Sequence, residues 1–141
     1  MKDNIKLIFL TEQTVDGDTQ KTKQQTVGTM EKQPGGQIRI EYKEPDSEMS
    51  NCSSELYIEN SKKVHLIRTG LYNTHFTIEE GQTYHSLYRS PYLQTEMTIK
   101  TAKAEVNMKG DKGTIFLVYS IYSGNALLSN NKLLITIKIK D

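Results

Sequence analysis

Residues 132–140 alternate so strictly that they limit what this chain can become. Leu133, Ile135, Ile137 and Ile139 fall on one side of an extended strand, and Thr136, Lys138 and Lys140 on the other. A period of two marks a β-strand with one buried face. The segment before it, 114–123, is also extended but apolar on both faces. Ile115, Leu117, Tyr119 and Ile121 lie on one side, and Phe116, Val118 and Tyr122 on the other. A strand with two apolar faces needs cover on its outer side, from a loop, the N-terminal segment or another subunit.

The same grammar recurs through the chain. Ile5, Leu7 and Phe9 alternate with Lys6, and Ile8 and Leu10 suggest cover on both sides. Residues 20–26 are almost wholly polar and read as strand only through their neighbours. Ile38, Ile40 and Tyr42 oppose Arg39, Glu41 and Lys43; Leu56 and Ile58 point inward; residues 64–70, 74–79 and 83–89 follow. Turn signals separate them at Asp16-Gly17, Pro34-Gly35-Gly36, 60–63, Gly81, Gly110 and Gly124-Asn125. Residues 45–53 read as a polar loop. Met97 and Ile99 share a face with Leu93, but afterwards Ala102, Ala104, Val106 and Met108 carry the apolar positions. A change of phase without a turn predicts a bulge or sharp corner near Thr101.

Short strands, regular turns and no helical periodicity predict an all-β chain. Its short connections favour an antiparallel up-and-down β-barrel of about eight to ten strands. With 141 residues, positions 1–141 read as one domain. A chain of this size buries roughly two-thirds of its unfolded surface, enough for a core without staples. Eighteen Lys and Arg face seventeen Asp and Glu, which argues against a nucleic-acid partner. The apolar run at the N-terminus is broken by Lys6 and is too short to cross a membrane. Cys52 is the single cysteine, so nothing points to an oxidising compartment, and a cytoplasmic protein without membrane association is expected.

The order of these elements resembles the YwiB-like family of uncharacterised bacterial proteins. The matching pieces are 40–44, 64–70, Phe76 with Gly81, Ser90-Pro91-Tyr92 with Met97, Ile99 and Thr101, then 113–119 and the last strand. The resemblance implies a calycin-like barrel, the lipocalin architecture, and no established activity. That family pattern tends to place glycine after the Pro-aromatic pair, where this chain has Leu93.

Four groups of side chains bear on function. Parity puts Arg68 on the inner face with Val64 and Leu66. A guanidinium there anchors an anionic ligand or forms a structural ion pair, with Glu96 and Glu105 as candidate partners. The chain has eight tyrosines and no tryptophan. Tyr84, Tyr88 and Tyr92 are spaced by four, and Tyr119 looks inward. Phenols on an inner wall give a small ligand both apolar contact and hydrogen bonds, although tyrosine also suits ordinary half-buried strand positions. His65, His75 and His85 recur every ten residues and would line up if their strands paired in register. Their parity instead makes them exposed and unconnected, so no metal site is expected. Last, Phe116, Val118 and Tyr122 form the outer apolar strip, a candidate homodimer surface.

No nucleotide loop, metalloprotease helix, nucleophile elbow or paired-cysteine motif occurs. The sequence therefore predicts a non-enzymatic barrel, without cofactor, binding a small partly apolar ligand through Arg68, Tyr84, Tyr88 and Tyr119. The alternative is an interaction module with a barrel filled by its own side chains.

Overall fold

In the computed structural model, residues 2–44 and 52–140 are described, and they form ten antiparallel strands. These are β1 (Lys2–Val15), β2 (Asp18–Lys32), β3 (Ile38–Tyr42), β4 (Cys52–Asn60), β5 (Lys63–Gly70), β6 (Thr74–Glu79), β7 (Thr83–Arg89), β8 (Gln94–Lys109), β9 (Lys112–Ser123) and β10 (Ala126–Ile139). Every strand but β6 and β7 pairs with its neighbours in sequence, and β1 also pairs with β10, giving the order β6-β5-β4-β3-β2-β1-β10-β9-β8-β7. The sheet curls until its two ends, β6 and β7, meet. Asn73 and Arg89 form a backbone bridge there, and Thr101 exchanges backbone hydrogen bonds of 3.0–3.1 Å with Gly81 and Gln82. The result is a nearly closed up-and-down barrel, as the alternation and short turns predict. No helix among the described residues is long and apolar enough to cross a membrane.

Local chemistry explains the hairpins. Asp16 and Gly17 both have positive φ, 50° and 82°, joining Val15 to Asp18 through a two-residue turn. That backbone twist matches the right-handed twist of the strands on either side, and Asp-Gly is the pair that adopts it most readily. The polar residues 18–25 are therefore fully paired with β1 although nearly all face solvent. Hydrophobicity gives no sign of them because this ribbon runs beyond the core. β10 likewise begins at Ala126 rather than at residue 132, with a register shift between Leu127 and Ser129.

The expected irregularity near Thr101 is a bulge between Thr101 and Lys103. Ala102 is the extra residue and is exposed, so the inner face resumes at Ala104 rather than at Ala102. The expected double cover of β1 fails at its outer face, where Leu10 is 42% exposed. Of the polar loop read over 45–53, residues 45–51 lie outside the described residues, and Cys52 and Ser53 already belong to β4.

The core is a stack of inward residues in register. Phe9, Ile135, Ile115 and Val106 form one rung across β1, β10, β9 and β8. Ile40, Leu56, Leu66 and Phe76 form another across β3, β4, β5 and β6. Ile5, Leu7, Ile78, Ile99 and Ile137 are fully buried and fill the end away from the β1–β2 hairpin.

A candidate ligand cup in the upper barrel

Further along the strands, the inner wall changes character. Gln13, Asn131, Tyr119 and Thr101 are register partners across β1, β10, β9 and β8. Tyr42, Ser54, Arg68 and Thr74 are partners across β3, β4, β5 and β6. Gln13, Asn131 and Tyr119 face the second rung above the apolar stack, while Thr101 lies beside the β6–β7 turn. Members of both border a cavity of about 250 Å³, whose apolar wall includes Phe9, Leu66, Phe76 and Leu133. The barrel is thus filled by its own side chains at one end and hollow at the other. A concave apolar floor with a few convergent polar groups is the usual form of a small-molecule site.

Arg68 is the charged centre of the cup. Its Nη2 donates to Glu44 Oε2 at 3.1 Å, and Ser54 Oγ donates to the same oxygen at 2.6 Å. Arg68 Nε is buried and has no hydrogen-bond partner among the described residues. Neither Glu96 nor Glu105 pairs with Arg68. Glu105 lies opposite Phe116 on the outer wall, and Glu96 lies 3.9 Å from His85. Parity alone decides this, since both positions sit on the outward face of β8 while Glu44 continues the inward series of Ile38, Ile40 and Tyr42.

Two phenols flank the guanidinium. Loss of hydration pushes the Tyr119 hydroxyl up to about 12, an effect that Arg68 partly offsets. Tyr42 is raised further, first by burial and then by the negative charge of Glu44. Both therefore stay neutral donors at physiological pH. The Tyr42 ring packs against Phe9 at 5.4 Å between centroids. Asn131 is nearly buried; it accepts from Gln13 Nε2 at 3.1 Å and donates to Ser129 Oγ at 3.0 Å.

Of the residues singled out from the sequence, Arg68 and Tyr119 meet in the cup. Tyr84 and Tyr88 do not border it. Tyr84 donates to the Glu79 carboxylate, and the Lys63 ammonium sits 5.5 Å from its ring centroid, so it ties β7 to β6 at the seam. Tyr88 is half-buried on β7 opposite Thr95. At the corner that follows, Ser90 is hydrogen-bonded to Leu93, and Tyr92 points into solvent. Tyr42, Glu44, Ser54 and Asn131 went unrecognised as site residues, although each extends an inner-face series.

The histidines also depart from expectation. His65 Nδ1 is 2.9 Å from His75 Nε2, and His65 Nε2 is 3.0 Å from Glu59 Oε1. With the His65 Nε2–H donated to Glu59, its Nδ1 accepts the N–H of His75. The two rings are therefore connected rather than separate, because strands β5 and β6 set them diagonally. Burial, and then the neighbouring His65, hold His75 below the usual histidine range. His85 stands apart, beside Thr98. Among the described residues no three potential metal ligands converge.

On the outer wall, Phe116, Val118 and Tyr122 are half-buried within the sheet. Phe116 continues across β10 and β1 through Leu134 and Leu10, and these three border a shallow surface depression. Lys100 lies 4.7 Å over the Tyr122 ring.

Comparison with known proteins agrees with the architecture. The crystal structure of ywiB protein from Bacillus subtilis superposes with a TM-score of 0.87 at 16% identity, covering 99% of this chain and 94% of that chain. At this identity the likeness shows a shared fold. No curated protein matches. The family described as "Domain of unknown function (DUF1934)" matches residues 8–135, nearly the whole barrel, and the chain belongs to that family.

Proposed function

We propose that this chain is a cytoplasmic, non-enzymatic binding protein that takes one small, partly apolar ligand into its upper cup. The observation that carries this reading is Arg68. A guanidinium placed on the inner wall, above an apolar floor and beside a cavity of about 250 Å³, is costly unless a partner repays its desolvation. One carboxylate oxygen supplies part of that, and the buried Nε has no partner among the described residues. Apolar contact with Phe9, Leu66 and Phe76 supplies affinity, and Arg68 with Tyr42 and Tyr119 fixes orientation. The lone thiol of Cys52, within reach of the Tyr72 carbonyl at 3.7 Å, fits a reducing compartment.

Native mass spectrometry of the protein purified from its natural host is expected to show a co-purifying small molecule. Arg68→Met is expected to lose that molecule while keeping its cooperative unfolding transition. Global unfolding of the variant would make Arg68 a structural residue and remove the reading.

A second reading uses the outer wall. The exposed Leu10 beside Leu134 and Phe116 supports an interaction module that dimerises through Phe116, Val118 and Tyr122. Light scattering on a size-exclusion column decides it, and a clean monomer at micromolar concentration counts against it.

A further inference from the structure

Arg68 presents an edge with two donors, Nε–H and Nη2–H, spaced to match the two oxygens of one carboxylate. In this structure that edge is half used. Glu44 Oε2 takes Nη2 at 3.1 Å and shares itself with Ser54 Oγ, while Nε is enclosed with no partner among the described residues. Glu44 stands two residues past Tyr42 and beyond the ladder of β3, whose last tie is Lys43 N to Val27 O at 3.3 Å. Its carboxylate thus enters the cup from the rim and meets the guanidinium by one oxygen only.

We infer that Glu44 is a resident stand-in for the ligand's own head group, and that the ligand is a small monocarboxylate with an apolar body. This rests on the upper cup being a ligand site. The incoming carboxylate takes both Nε and Nη2, and Glu44 is displaced toward the rim. The apolar body then lies on Phe9, Leu66 and Phe76. Charge sets the class. Among the described residues Arg68 is the one cation bordering the cavity, so it balances a single negative charge once Glu44 has left. A phosphate dianion would leave its second charge without a cationic partner in the cavity.

Benzoate serves as the probe, and benzyl alcohol as its uncharged counterpart. Binding is read from amide chemical-shift changes of cup residues in the full chain. Glu44→Gln keeps an acceptor for Arg68 and Ser54 but removes the competing charge. It is expected to tighten benzoate binding about tenfold, the gain if Glu44 occupies Arg68 roughly nine-tenths of the time. Benzyl alcohol is expected to bind both proteins alike. Glu44→Ser provides a second variant should the first fold poorly, with the same expected direction.

Benzoate binding that is unchanged or weakened in the Glu44 variants, while both probes still enter the cup, overturns the stand-in role and leaves the cup as a ligand site. If neither probe shifts any cup residue in any of these proteins, the ligand reading falls and the inference falls with it.

Discussion

Ile135→Ala is expected to cost about 3 kcal/mol of folding stability, within the range of about 2–5 kcal/mol for truncating a fully buried branched aliphatic residue. Ile135 has no exposed surface and lies between Phe9 and Ile115 in the central rung. Two features hold the cost up. The lost methyl groups would have been removed from water entirely. The surrounding strands are also fixed by hydrogen bonds on both sides, so the wall cannot collapse into the void. The adjacent Leu134 points outward from the same strand, and Leu134→Ala is expected to cost roughly 1 kcal/mol or less. Urea denaturation of the pair checks this. The midpoint should fall markedly for Ile135→Ala with an unchanged slope, and barely for Leu134→Ala. Equal losses would mean that the inward and outward faces of β10 are not separated as the register has them.

That contrast rests on parity, which is also why so much of the barrel is legible in the sequence. A strand's inward and outward faces follow from counting by two, and a slip of one residue would turn Leu133, Ile135 and Ile137 into solvent. The bulge beside Thr101 is visible for the same reason, because an extra residue is the only way to switch phase without a turn. Parity fails where neither face is buried. β2 from Asp18 to Gln25 carries no hydrophobic signal, and only its hydrogen bonds to β1 make it a strand.

The cup was half legible. Arg68 and Tyr119 follow from inner-face counting within single strands. Height along the barrel axis does not, because it depends on how strands are staggered against one another. Tyr84 shares inward parity with Ile99, its partner on β8, yet it belongs to the seam at the other end. Glu44 could be found only by extending the series of Ile38, Ile40 and Tyr42 past the end of β3. The polar rungs become a signal once the register is known. Asn131 precedes Leu133, Ser54 precedes Leu56 and Arg68 follows Leu66, each marking the same level, where the filled core gives way to the cavity.

Gly28→Ala is expected to destabilise the fold by about 1–3 kcal/mol, the usual cost of forcing extra atoms into a filled space, and to disturb the cup as well. Gly28 pairs with Ile5 on one side and Tyr42 on the other. A β-carbon there would stand 2.2 Å from the Glu41 carbonyl oxygen and 2.9 Å from Tyr42 Cβ. Its φ lies outside the left-handed region, so the requirement is for space rather than for an unusual backbone angle. Glycine within a strand commonly marks such a close approach of neighbouring backbone. Here it lets β3 crowd β2 at the rung that carries Tyr42, next to the residues leading to Glu44. Relief of the clash must move β3, because a carbonyl oxygen within the ladder cannot rotate away as a long side chain can. The expected result is therefore double: a lower urea midpoint, and weaker uptake of the ligand that Arg68→Met also loses. Val27→Ala, at the adjoining exposed position on the outer face of β2, should alter neither by much, since it removes solvent-facing atoms and creates no clash. A Gly28→Ala protein with unchanged stability and unchanged uptake would show that β2 and β3 have more room than this register allows, and that Tyr42 is not held in place by their contact.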